Sequence, residues 1–221
     1  MTDFATARRM MVDGQIRPND VHDQRVIAAM LDIPRERFVS PGNACFAYAD
    51  LDVPVGSHSQ PARRLLKPMV LAKMVQAAAV GASDSVLDLD CATGYSSAVL
   101  ARLGQSVVAL EEDPALAKIA EQALSALHTS NVTVVTGPAV KGWPPCAPYD
   151  VILLNGATEV VPKSLFGQLK EEGRLVAIMG GGPAGRVILY RCVKGSVSGW
   201  PVFDAAAAVL PGFSEPPTFV F

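Results

Sequence analysis

The stretch Ser85-Val86-Leu87-Asp88-Leu89-Asp90-Cys91-Ala92-Thr93-Gly94-Tyr95 decides how this chain folds. Ser85 to Leu89 reads as a short apolar strand, and Gly94 suits a tight entry to a helix over Tyr95 to Leu103. Working outward, Ser106 to Leu110, Val132 to Val135, Val151 to Leu154, Gly173 to Met179 and Val187 to Val193 repeat the strand pattern. Pro114 to Leu127, with proline in its favoured place in the first turn, and Pro162 to Lys170 read as helices. Continuous apolar strands alternating with helices predict an α/β fold, a Rossmann-like, mostly parallel, doubly wound sheet covered on both faces.

Upstream, apolar residues at three- and four-residue spacings predict two helices within residues 5–33, parted at Pro18-Asn19. Asn19 or Asp20 is the expected N-cap of the second, Pro34 ends it, and Met69 to Val80 forms another helix. Residues 37–68 are irregular, with prolines at 41, 54, 61 and 68. A connection of that length is usually functional or mobile. Residues 201–221 read as a terminal strand or an extended tail.

The chemistry concentrates at the turn. In an open α/β sheet, ligands sit outside the carboxyl ends of the strands. The next strand ends in Leu110-Glu111-Glu112-Asp113, about twenty residues on, where an acid can accept hydrogen bonds from both hydroxyls of a ribose. Asp88 and Asp90 would repel a pyrophosphate, which argues against a dinucleotide. They suit a cationic nucleoside such as S-adenosylmethionine, with its ammonium and sulfonium. An ordinary turn in which Asp90 caps the helix accounts for the same residues, so the turn alone leaves both readings open.

Bulk properties exclude several classes. Lys and Arg number 19 against 21 Asp and Glu, a formal net charge of -2, which lacks the basic surplus of a nucleic-acid binder. No apolar run approaches the roughly 18 residues of a membrane span. Met1 to Val12 carries Asp3, Arg8 and Arg9 and so no secretory core. Cys45, Cys91, Cys146 and Cys192 lie far apart and read as free thiols of a reducing cytoplasm. His22, His58 and His128 are isolated, and no metal site is expected. Gly180-Gly181-Gly182 lacks the Gly-Lys-Ser/Thr of a phosphate loop and reads as a hairpin turn.

Read end to end, the chain resembles the protein-L-isoaspartate O-methyltransferase family. Met11-Val12, Gln15-Ile16, Asp23, Ala29-Met30 and Pro34-Arg35-Glu36-Arg37-Phe38-Val39 are similar to that family's opening helices. Ala47-Tyr48-Ala49-Asp50 through Pro54-Val55-Gly56 resembles its substrate-side loop, and Pro68 with Leu71-Ala72-Lys73-Met74 its next helix. Asn131-Val132, Gly142-Trp143, Ala147-Pro148-Tyr149-Asp150, Gln168-Leu169-Lys170 and Gly173-Arg174-Leu175-Val176 follow in order, so the likeness covers about residues 8–195.

The resemblance implies a single methyltransferase-like domain over 1–221. Residues 1–80 would be N-terminal helices and substrate-side loop, 81–195 the cofactor-binding core, and 196–221 a C-terminal tail. It implies a cytoplasmic enzyme that uses S-adenosylmethionine to methylate the isoaspartyl carboxylate of damaged proteins, with a protein or peptide as partner and neither nucleic acid nor membrane. The expected cofactor contacts are Asp88, Leu89, Asp90, Cys91, Ala92, Gly94, Tyr95, Glu111, Glu112, Pro138, Ala139 and Asn155. Ser59, Arg63 and Arg64 are the expected substrate contacts.

Three departures from the family pattern fall in one place. Arg63-Arg64-Leu65-Leu66 stands where the family carries Gln-Thr-Ile-Ser, so Leu66 replaces the active-site hydroxyl. Ser57 or Ser59 is a candidate substitute, and Arg63 with Arg64 could grip a carboxylate bidentately. The first two glycines of the family's turn are Asp90 and Ala92 here. Gly137-Pro138-Ala139 replaces a Gly-Asp-Gly, which removes an acid and a backbone N–H from the adenine contact. An altered active site is therefore expected, with a non-catalytic or substrate-switched binding module as the second reading.

Overall fold

The computed structural model describes residues 3–56 and 63–215. Asp3 opens α1 (Phe4–Met11) by accepting the backbone N–H groups of Ala5 and Thr6. The helix loosens into a π-helical turn, Val12–Ile16, before the break. Asp20 then takes φ 64°, a left-handed conformation that ends one helix and cannot begin another. The cap of α2 (Gln24–Asp32) is therefore Asp23, whose carboxylate accepts the Arg25 N–H at 2.8 Å, and not Asn19 or Asp20.

The segment expected to be irregular holds two short 3-10 turns, Arg35–Phe38 and Pro41–Phe46. Beyond them lies an antiparallel pair of three-residue strands, β1 (Val53–Val55) and β2 (Arg63–Leu65). Downstream come α3 (Pro68–Ala78), β3 (Ser85–Leu89), α4 (Tyr95–Ala101), β4 (Ser106–Glu111), α5 (Pro114–Ala126), β5 (Val132–Thr136) and β6 (Tyr149–Thr158). The chain continues through α6 (Lys163–Phe166), β7 (Leu169–Met179), β8 (Arg186–Val193) and β9 (Ser196–Asp204).

The main sheet has the order β5-β4-β3-β6-β7-β8-β9. Its first five strands are parallel, and β8 and β9 add antiparallel at one edge. Alternate residues of each strand point to opposite faces. On one face Val86, Val107, Val151 and Leu153 pack against the N-terminal helices and α3, α4 and α5. On the other, Leu87, Leu89, Leu110, Ile152 and Leu154 meet Leu165, Leu210 and Phe213. That second cover is thin. The helix expected over Pro162 to Lys170 stops at Phe166, because Gln168 already gives its carbonyl to the Tyr149 N–H at 2.8 Å and β7 begins at Leu169. Gly180 to Gly182 lie in the turn joining β7 to β8. Among the described residues no helix is long and apolar enough to cross a membrane.

Candidate cofactor site

The chain leaves β3 for β4 on one side and later returns to β6 on the other, so the sheet's switch point lies at the carboxyl end of β3. Such a point opens a crevice for a ligand. The turn after β3 fills it with an unusual backbone: Asp90 has φ 54°, Ala92 φ 52° and Gly94 φ 90°. Only glycine enters that region freely, and an alanine held there costs about 1–2 kcal/mol. A Cβ on Gly94 would sit 3.1 Å from the Ala120 Cβ and 3.2 Å from Leu124, so the start of α4 requires glycine. Asp90 and Ala92 thus keep a glycine-like backbone while adding side chains to it.

Asp88 is fully buried and is not a free acid. One carboxylate oxygen accepts the Ser96 hydroxyl at 2.7 Å and the Ser97 hydroxyl, and the other takes the Asn155 amide at 2.6 Å. Asn155 also donates to the Leu89 carbonyl at 3.0 Å, which ties β6 to β3 where the crevice opens. Burial outweighs these three donors and lifts the Asp88 carboxyl to about 6. Its role is to join α4 and β6 to the end of β3, and the expectation that it faces a ligand ammonium is corrected by these contacts.

Glu111, at the end of β4, is 1% exposed. Its Oε2 accepts the Ala92 N–H at 2.7 Å and its Oε1 the Asp113 N–H at 3.1 Å. The third donor is Arg63. The β2 strand alternates, so Arg63 and Leu65 point inward and Arg64 outward. Arg63 is 7% exposed, and its Nη2 lies 3.0 Å from Glu111 Oε2, 3.0 Å from the Asp90 carbonyl and 3.1 Å from Asp90 Oδ1. Arg63 therefore stands on Glu111 and Asp90 and does not reach out to grip a substrate carboxylate, because strand alternation turns it inward. Asp90 does not cap α4, whose N-cap is Gly94. Asp90 Oδ1 meets Arg63 as an ion pair, and its Oδ2 has no hydrogen-bond partner among the described residues.

One guanidinium between two buried carboxylates leaves a charge deficit. Burial lifts the Asp90 carboxyl to about 7, Arg63 pulls it back, and the charge on Glu111 lifts it further. A carboxyl raised in the folded state stabilises the fold fully below its ordinary value near 4, and that contribution is lost as pH rises through 7. Asp90→Asn keeps the shape, tolerates positive φ and removes this titration. The variant is expected to raise the melting temperature at pH 8 by several degrees and to flatten its decline between pH 5 and 8. Unchanged thermal melts at both pH values would dismiss the strained-acid account.

The other expected contacts divide. Leu89, Cys91 and Tyr95 are buried, and the Tyr95 ring packs under the guanidinium of Arg35 at 4.5 Å and edge-on to Phe38. Cys91 and Tyr95 line a small cavity beside the turn together with Ala92 and Asn155. Ala139 is buried in the core, while Glu112 and Pro138 are exposed. Arg64 is exposed and donates to the Asp52 carbonyl at 3.2 Å. Ser59, with Ser57 and His58, lies outside the described residues. Leu66 borders both cavities beside the turn, which have volumes of about 20 and about 10 Å³.

Four participants escaped the sequence reading. Ser96 and Ser97 satisfy Asp88, Thr93 donates to the Phe38 carbonyl at 2.6 Å, and Arg35, fully buried, donates to the Ala47 and Leu66 carbonyls at 2.8 and 2.7 Å. The serine pair just after the turn was the one readable sign. A charged Arg35 within Pro34-Arg35-Glu36 reads as surface until its carbonyl partners are known.

Chemically, the crevice offers two buried acids, backbone in a glycine conformation and few donors. That set favours a ligand that brings hydroxyl and cationic groups of its own, which S-adenosylmethionine does. A family model described as Protein-L-isoaspartate(D-aspartate) O-methyltransferase matches residues 7–196. The chain is 41% identical over 170 residues to the protein-L-isoaspartate O-methyltransferase of Gloeobacter violaceus, covering 77% of this chain and 81% of that one. It is 38% identical over 174 residues to the protein of that name from Methanoregula boonei, covering 79% and 78%. A solved protein-L-isoaspartate O-methyltransferase superposes with a TM-score of 0.82 at 25% identity, over 93% of this chain and 66% of its own length. A Plasmodium falciparum structure described under the same enzyme name, in complex with S-adenosyl-L-homocysteine, superposes with a TM-score of 0.77 at 15% identity. At that identity it speaks for the fold alone.

Proposed function

The chain belongs to the protein-L-isoaspartate O-methyltransferase family, and from that premise we propose that it methylates the free carboxylate of isoaspartyl residues in proteins. The observation that carries the reading is Glu111, a buried acid at the carboxyl end of β4 whose Oε2 sits on the Ala92 N–H at 2.7 Å. This is where an acid can hold a ribose beside the turn of a switch-point crevice. S-adenosylmethionine, when bound, supplies an activated methyl group on a sulfonium.

The residues present then have three tasks. Glu111 would accept the ribose hydroxyls, and the backbone from Asp90 to Gly94 would face the amino-acid moiety. The acceptor carboxylate is ionised at neutral pH, so no general base is needed. Positioning and exclusion of water carry the rate. Leu66 and Leu210 form an apolar wall beside the turn, and Arg64, at the mouth of the same cavity, is the guanidinium free to orient a carboxylate. With leucine at 66, Arg64 brings charge to the orientation of the acceptor at the rim.

The test is methyl transfer from labelled S-adenosylmethionine to an isoaspartyl peptide, with the normal aspartyl peptide as control. Base-labile label is expected on the first only. Label on neither peptide, from protein that binds S-adenosylhomocysteine in a calorimeter, would refute the isoaspartyl assignment.

A further inference from the structure

The acids that the proposed function assigns to the cofactor already have an occupant. Arg63 Nη2 lies 3.0 Å from Glu111 Oε2 and 3.1 Å from Asp90 Oδ1, at 7% exposure, and also takes the Asp90 carbonyl. Counting the Ala92 N–H, Glu111 Oε2 already accepts two donors, and a carboxylate oxygen has about two lone-pair sites to give. Oε1, which accepts only the Asp113 N–H among the described residues, has room for one hydroxyl, so both ribose hydroxyls can be held only if Oε2 loses one of its donors. The Ala92 N–H belongs to the fixed turn, so the guanidinium is the donor that can leave.

We propose that Arg63 is an internal plug of the cofactor crevice, held on Asp90 and Glu111 in the free protein and expelled when S-adenosylmethionine binds. This rests on the cofactor reading above. The larger of the two cavities beside the turn gives an exit: it is bordered by Arg63 itself and by Asp52, whose carboxylate offers the departing guanidinium a new partner. Arg63 and Leu65 share the inward face of β2, and the long arginine side chain can swing about its own torsions while Leu65 stays in the core. Cofactor affinity is thereby set by a competition inside the protein, since a ligand pays the breaking of a buried ion pair before it gains its own contacts. The swing brings a second guanidinium to the rim where Arg64 already stands.

Arg63→Gln removes the competing cation and keeps a polar side chain. Calorimetric titration with S-adenosylhomocysteine is expected to give a dissociation constant at least tenfold lower for the variant than for wild type. Because the variant leaves two buried acids without a cation, its fold is checked by thermal melting. Arg63→Gln/Asp90→Asn, compared with wild type, repeats the test with the site's charge kept at one excess negative, and the same tightening is expected. An equal or weaker affinity in the folded variants overturns the plug while leaving the cofactor reading intact. No heat from wild type or variants at millimolar ligand overturns both.

Discussion

Replacing Asp88 by alanine is expected to lower the free energy of unfolding by about 3–5 kcal/mol, since it strands buried donors at about 1–3 kcal/mol each and the losses do not add in full. Asp88 is fully buried and accepts from Ser96, Ser97 and Asn155, so one truncation orphans donors on α4 and β6 together. For a chain of this size the melting temperature should fall by about 10 °C. Asp88→Asn keeps the volume and at least one acceptor, and rotating serine hydroxyls can accept from its amide, so the loss should be about 1 kcal/mol. The pH dependence has a definite sign. The Asp88 carboxyl stands near 6 in the folded protein, so its stabilising contribution is complete below its ordinary value near 4 and shrinks as pH rises through 6. Urea melts of wild type and Asp88→Ala should therefore lie further apart at pH 5 than at pH 8. A gap below about 1 kcal/mol at pH 5 would show that the three bonds do not hold the crevice together.

This result bears on what could be read from residue types alone. Asp88 and Asp90 look alike in sequence, two carboxylates flanking Leu89, and both suggest a cationic ligand. Folding separates them. Asp88 falls on the side of β3 where the first turn of α4 and the end of β6 deliver three donors, while Asp90 falls after the strand, in a left-handed turn facing Arg63. What distinguishes them is who donates to them, which depends on residues 8 and 9 positions on and 67 further along.

The sheet was legible because its signal is redundant. Each parallel strand carries a predominantly apolar centre, and Glu111 stands where the spacing from the turn places an acid. The N-terminal half of the site was harder to read for a physical reason. A strand of three residues bounded by proline-rich text has too few alternations to declare itself. Arg63-Arg64 therefore reads as a pair of substrate contacts with both guanidinium groups reaching for a carboxylate. Once β2 is recognised, adjacent residues must point opposite ways, and one arginine of the pair has to go inward. The same blindness applies to α6, which periodicity extends to Lys170. There a backbone bond from Gln168 to Tyr149 starts β7 early, a long-range contact no local pattern contains.

Glu111→Ala should raise the dissociation constant for S-adenosylhomocysteine by about 10- to 150-fold, the equivalent of about 1.5–3 kcal/mol for hydrogen bonds to a charged acceptor. The size of the drop depends on Arg63. In the otherwise native protein, removing Glu111 takes away the ribose acceptor and one of the two acids that hold the plug, so part of the loss is offset by easier entry. In the Arg63→Gln background no plug remains to be released, and the loss should be larger, approaching the upper figure. Four titrations close the cycle, and the difference between the two losses measures the competition at Glu111 itself. Equal losses in both backgrounds would mean that Arg63 is held by Asp90 alone and that the ribose acid binds without opposition. No loss in either would remove Glu111 from the crevice and leave the family's fold without its expected ribose contact. A larger loss in the Arg63→Gln protein ties the two side chains to one site: the acid placed to receive the cofactor is the acid that keeps it out.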